Sequence, residues 1–181
     1  MKDKNTKSQI NSKERVREFG EVYTSAKEVN DMLSCIGKHI FKLDLTIMEP
    51  ACGEGAFLER ILICRLDEIN KSRKNKLLFQ KKTFQSLSSL YGIDILQDNV
   101  LKCRESLESL ALENFNKYYD IDENLLKSIK YILEKNIVHA DAITMKLVPS
   151  NKGIKFSEWK FINNTTIKRK EYSYSDVIDG R

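Results

Sequence analysis

The spacing of apolar positions changes several times along these 181 residues, and each change marks an expected element. Residues 1–14 are rich in Lys, Asn and Ser with little to bury, which predicts a flexible polar tail ahead of a single domain over 15–181. Ala26, Val29, Met32, Leu33, Ile36 and Ile40 keep near a 3.6 period, so Ala26 to Phe41 is expected to be helical, with Thr24 or Ser25 as its cap. Leu43 to Met48 is a strand-like run that passes through Gly53 and Gly55 into a helical pattern from about Ala56 to Ile69. Leu87 to Ile95 predicts a second strand, with Asp94 at its end. Val100, Leu101, Cys103, Leu107 and Leu110 return to helical spacing, and another helix is expected from about Glu123 to Glu134, after the polar break at Asp120 to Asp122. Ile137-Val-His opens a third strand that ends near Asp141. Beyond it the pattern weakens, leaving Trp159 as a packing anchor and Ser175 to Ile178 as a last strand.

Strands alternating with helices predict an α/β fold with parallel strands and right-handed crossovers, an incomplete doubly wound sheet with its ligand at the carboxyl ends of the strands. A strand order of 3-2-1 leaves one edge of strand one open, to be filled by Ser175 to Ile178 or by another polypeptide.

Composition narrows the class. With 41% hydrophobic and 31% charged residues the chain reads as soluble and globular, and its apolar runs fall far short of the ~20 residues that span a bilayer, so a cytoplasmic protein without membrane contact is expected. Cys35, Cys52, Cys64 and Cys103 form no Cys-x-x-Cys pair, which supports reduced thiols rather than a metal site or a disulfide framework. The net charge of +5 permits a phosphate-bearing partner. Lys13, Arg15 and Arg17 can touch a phosphate backbone, and Asn70 to Lys82 carries six cations and no acid, as a solvated loop or a face for nucleic acid.

The candidate chemistry lies at strand ends. Glu49-Pro-Ala-Cys-Gly-Glu-Gly is a glycine corner between strand and helix, where backbone N–H groups can meet a nucleotide-like ligand. A dinucleotide site fits poorly, because Leu58 stands where the third glycine belongs and Asp94 lies about twice the usual ~20 residues beyond the loop. A P-loop is excluded by the missing Gly-Lys-Ser/Thr. Acids at three strand ends, Glu49, Asp94 and Asp141, suit a ligand with an ammonium, a ribose and an adenine amine, the three polar parts of S-adenosylmethionine. His139 reads as a strand residue with a hydrogen bond, and His39 as a helix residue.

Glu49-Pro-Ala-Cys-Gly-Glu-Gly-Ala-Phe-Leu58 resembles the Asp-Pro-Ala-Cys-Gly-Ser-Gly-x-Phe-Leu motif of adenine-N6 DNA methyltransferases from bacterial restriction-modification systems. Gly20 to Ser25, Tyr91-Gly-Ile-Asp94 and Asn136 to Ala142 resemble that family's other cofactor motifs, in the same order. The resemblance implies a Rossmann-like S-adenosylmethionine-dependent methyltransferase fold. It also implies that Thr24, with Tyr23 beside it, holds the cofactor's amino-acid end, and that Glu49, Pro50, Ala51, Cys52, Gly53, Gly55 and Phe57 form the loop around its methionine part. Asp94 would then accept from both ribose hydroxyls, Ile95 would lie against the adenine, Asp141 would accept from the adenine amine, and Ala142 would offer its backbone. Ser25, Glu49 and Glu54 depart from the pattern, where the family has proline, aspartate and serine.

The family's catalytic Pro-Pro-aromatic motif is absent, since Pro50 and Pro149 are the only prolines and Asp179-Gly-Arg181 follows the last expected strand. That motif accepts the amine hydrogens of a flipped adenine. No catalytic residue is therefore expected here. The chain reads as the cofactor-binding part of such an enzyme, inactive alone, reaching DNA through a second methyltransferase subunit or a missing region. The alternatives are a cofactor-binding regulatory or DNA-associated protein without catalysis, and a small-molecule or RNA methyltransferase.

Overall fold

A computed structural model describes residues 15–17, 24–163 and 166–178. The tail 1–14, with Lys13, and the candidate Tyr23 lie outside them. Helix α1 (Ala26–Ile36) starts at Ser25, whose hydroxyl accepts from the Glu28 N–H while the Glu28 carboxylate accepts from the Ser25 N–H, a reciprocal cap. Strand β1 (Ile47–Glu49) leads through the glycine corner into α2 (Ala56–Ile69), and α3 (Lys76–Ser88) precedes β2 (Leu90–Asp94). Helices α4 (Gln97–Asn116) and α5 (Glu123–Asn136) follow, α5 capped by Asp122. Strands β3 (Ile137–Asp141) and β4 (Lys146–Leu147), the hairpin β5 (Lys155–Phe161) with β6 (Ile167–Ser173), and a short α6 (Tyr174–Ile178) complete the order.

The sheet runs β1-β2-β3-β4, parallel in its first two pairings and antiparallel in the third. Glu49 lies beside Gly92, and Asp94 beside His139. Each successive parallel strand thus reaches further along the carboxyl edge.

Side chains alternate between two cores, as the strand period demands. Leu90 and Ile137 join Leu58, Leu62, Phe79, Leu107, Phe115 and Ile129 on the helical side. Tyr91, Ile93, Val138 and Ala140 join Ile154, Phe156 and Tyr174 on the other. A right-handed crossover that always steps in the same direction along a sheet drops its helix on the same face. Strands β1 to β3 step one way only, so the crossover helices α2 to α5 share one core, which α1 joins and which Trp159, Phe161 and Ile167 of the hairpin edge, while Phe156 covers the opposite face. The protein is therefore a mixed α/β structure with a mixed sheet, and the doubly wound, all-parallel arrangement is not observed among the described residues.

Five expectations about elements need correction. Helix α1 stops at Ile36, because Gly37 (φ 93°) breaks it from a separate 3-10 turn at Lys38–Phe41. The first strand is Ile47–Glu49 rather than Leu43 to Met48; Arg65, fully buried on α2, donates to the Leu45 carbonyl at 2.7 Å and holds that entry as a turn. The basic stretch Asn70 to Lys82 is no open loop, since Asn75 caps α3 and Phe79, Phe84 and Leu87 are buried. Ser175 to Ile178 is helical and pairs with no strand, so the outer edge of β1 is unfilled among the described residues. The second strand is also shorter than Leu87 to Ile95, since α3 runs to Ser88.

Trp159 is half-buried, and its indole N–H donates to Asn136 Oδ1 at 2.9 Å. Among the described residues no helix is long and apolar enough to cross a membrane.

Candidate functional site

The glycine corner is held against β2 at two points. The Cys52 N–H donates to the Ile93 carbonyl and the Gly53 N–H to Asp94 Oδ2, both at 2.9 Å. Gly53 (φ 53°) and Gly55 (φ 101°) take backbone conformations that L side chains rarely adopt. A Cβ on Gly55 would lie 2.7 Å from Cys103 Sγ, whereas one on Gly53 would meet nothing within 4 Å. Gly55 serves close packing of the corner on α4, and Gly53 leaves space above it.

Asp94 joins three backbone segments. Besides Gly53, its carboxylate accepts from the Leu96 N–H at 2.8 Å and from Asn99 Nδ2 at 3.3 Å, both on Oδ1. Arg15 donates to Asn99 Oδ1 at 3.2 Å, which orients the amide toward Asp94, and pairs with Asp98 at 2.7 Å. The guanidinium beside Asp98 holds that carboxyl below its usual range. Arg15, expected to be available to phosphate, thus braces the loop through α4.

Glu54 pairs with Lys102 on α4 at 2.6 Å, which balances the added negative charge and raises the lysine's pKa. Glu49 accepts from the Ala51 N–H at 3.3 Å, and Pro50 and Ala51 are exposed. Cys52 and Phe57 turn into the helical core, so only their backbones face the corner. The Cys52 thiol, hydrogen-bonded to Cys103 and buried, is pushed well above its ordinary pKa and stays protonated. All four cysteines are free thiols.

Beyond β2 and β3 lies an open groove of about 420 Å³, lined by Ile95, Asp141, Thr144, Leu147, Val148 and neighbouring residues. Ile95 is 43% exposed, an apolar surface directly after the Asp94 anchor. Asp141 Oδ1 accepts from the N–H groups of Ile143 (2.8 Å) and Thr144 (3.3 Å), and the first of these bonds chiefly holds its carboxyl below the ordinary range. His139 Nε2 hydrogen-bonds the Ile95 carbonyl at 3.0 Å, linking β3 to the groove's apolar wall. Ala142 packs against the hairpin-side core.

The structure thus brings Gly53 to Asp94, and Ile95 to Asp141. Thr24 stands half-buried one residue before the α1 cap, outside both groupings. Sequence reasoning missed Asn99, Lys102 and the turn from Thr144 to Val148. Asn99 carried a signal, an amide in the first helical turn after a strand-end acid. Lys102 carried none, since its partner is remote in sequence.

Three acids, a glycine corner and a groove thus stand at the carboxyl ends of the parallel strands, the edge of an open α/β sheet at which ligands generally bind. Compared with known families, curated proteins and solved structures, the chain matches none.

Proposed function

We propose that this chain binds S-adenosylmethionine on a Rossmann-like methyltransferase fold and is the donor-binding portion of an adenine-N6 DNA methyltransferase. The observation that carries the reading is the Asp94 carboxylate, which accepts from the Gly53 N–H and directly precedes Ile95 in the wall of the groove.

The residues fit the cofactor's polar parts with one adjustment. A carboxylate offers about four lone-pair sites, and Asp94 already uses three in internal hydrogen bonds. One ribose hydroxyl can donate to it directly; a second displaces the Gly53 N–H or the Asn99 amide. Asp141 accepts from the N–H groups of Ile143 and Thr144 on Oδ1 and also from the Thr144 hydroxyl, which leaves its carboxylate about one lone-pair site for an adenine amine. Ile95 supplies an apolar face for the base, and the open space above Gly53 admits the methionine part.

When bound, the sulfonium supplies an electrophilic methyl group. The chain's own residues hold and orient it, and in-line transfer then depends on where the acceptor is positioned. These 181 residues contain no Pro-Pro pair, so acceptance of the adenine amine hydrogens falls to polypeptide beyond them. A cofactor-binding protein without catalysis shares every donor-side feature, and the missing Pro-Pro pair favours it as the second reading.

Isothermal calorimetry with S-adenosylmethionine tests the donor site. Asp94→Ala should abolish the binding heat while far-ultraviolet circular dichroism keeps its helical signal. Wild-type heats in the variant would remove Asp94 from the site and overturn the reading.

A further inference from the structure

The hairpin presents a charge pattern that neither the groove nor the sheet uses. Lys160 lies directly opposite Lys168, with Lys170 two residues further along the same face, and all three are exposed. Like charges directly opposite each other destabilise a strand pair. Among the described residues neither Lys160 nor Lys168 has an ion-pair partner. Glu158, the acid on that face, accepts from the Tyr172 hydroxyl at 3.0 Å, and the Lys170 ammonium sits 4.5 Å from the Tyr172 ring centroid.

A second basic region reaches the same end of the molecule. Helix α2 starts at the glycine corner and leads away from it into the turn bearing Arg73 and Lys74. Lys82 on α3 donates to Ser72 Oγ at 2.6 Å and ties the helix to that turn. Strand β5 packs against α3, and Trp159 on β5 hydrogen-bonds Asn136 directly before β3, which places the hairpin where the parallel strands begin.

We infer that this end, centred on the outer face of the β5–β6 hairpin, binds the phosphate backbone of duplex DNA. A two-stranded ribbon is narrow enough to follow a major groove about 12 Å wide. Lysines without carboxylate partners release counterions on phosphate contact, which offsets the internal cost of the Lys160–Lys168 pairing. The surface lies at the opposite end of the sheet from the glycine corner and acts whether or not cofactor is bound. It gives this chain its own hold on DNA, beyond the donor-site reading.

Fluorescence anisotropy with a short labelled duplex, at several salt concentrations between about 50 and 200 mM, measures the number of phosphate contacts. Substituting Lys160→Ala together with Lys168→Ala should reduce the magnitude of the logarithmic salt slope by about 1.8. The arginine pair, Lys160→Arg with Lys168→Arg, should keep the wild-type slope. Removing Lys127 and Lys130 from α5, which pair with Glu123 and Glu108, should leave the slope near wild type. The inference fails if wild-type protein does not bind the duplex, if the hairpin alanine variant keeps the full slope, or if the α5 variant loses as much. Calorimetry of the alanine variant with S-adenosylmethionine reads the other site separately, so loss of DNA binding with unchanged cofactor heats separates the two proposals.

Discussion

The two faces of the sheet are covered by different means. On one, α2, α3, α4 and α5 lay Leu62, Phe79, Leu107 and Ile129 against Leu90 and Ile137, in a core that spans most of the chain. On the other, Tyr91, Ile93 and Val138 meet Ile154, Phe156 and Tyr174, supplied by the hairpin and its flanks. Helices arrive on the first face because every crossover steps the same way. The second face would receive helices only from strands added beyond β1 in the reverse direction, and the chain covers it instead with an antiparallel ribbon. Topology has decided where the large core is, and among the described residues the small core is closed by the hairpin and its flanks.

This difference has a measurable consequence. Phe79 is fully buried and touches the rings of Phe115, Tyr118 and Tyr119 at centroid distances of 5.5 to 5.7 Å. Phe79→Ala should cost about 3–5 kcal/mol of global stability, seen alike by circular dichroism and by fluorescence in urea. Phe156→Ala should act locally. The lone tryptophan lies on β5, so its fluorescence reports the hairpin while circular dichroism reports the helices. In that variant the fluorescence transition should precede the dichroism transition. Coincident transitions would make the two cores one cooperative unit and end the contrast.

Asn136 is the joint between the faces. Its Nδ2 donates to the carbonyls of Ser88 (3.0 Å) and Leu90 (3.1 Å), and its Oδ1 accepts from the Trp159 indole. Asn136→Ala strands these buried groups and should cost about 2–4 kcal/mol. It should also shift the Trp159 emission, because the indole loses its partner. An unchanged spectrum would mean that the hairpin docks through Tyr91, whose hydroxyl donates to the Ser157 carbonyl at 2.6 Å, rather than through Asn136.

The helical face was largely legible in the chain, because Val29 and Leu33, or Leu58, Ile61 and Leu62, repeat at the helical period. Helix α3 was hidden by its composition. Thr83, Ser86 and Ser88 are buried among its apolar residues while lysines and glutamines fill the remainder, so no apolar stripe stands out; Asn75 as cap was the usable signal. The hairpin was hidden for another reason. Its strands bury only Phe156 and Ser157 fully, and the Lys160–Lys168 pairing goes against cross-strand preference. At the candidate site the glycines and acids were visible as residue types. What each acid touches was not, since Gly53 with Asp94, Arg15 with Asn99 and Glu54 with Lys102 are long-range contacts that only folding creates.

The smallest expected effect lies where the chain leaves the parallel layer for the antiparallel one. Asp141 ends β3, and its Oδ1 holds the N–H groups that open the turn toward β4. Because the folded carboxyl titrates below its unfolded value, the turn's stabilisation is complete above the unfolded pKa and is lost as pH falls through the lower folded one. Amide chemical shifts of Ile143 and Thr144 should therefore titrate together, with a midpoint below the ordinary aspartate value of 3.8. Asp141→Asn keeps a carbonyl acceptor and should retain the turn while abolishing the titration. A midpoint at or above 3.8 would release Asp141 from the turn, and the junction between the two parts of the sheet would then rest on the β3–β4 backbone pairing alone.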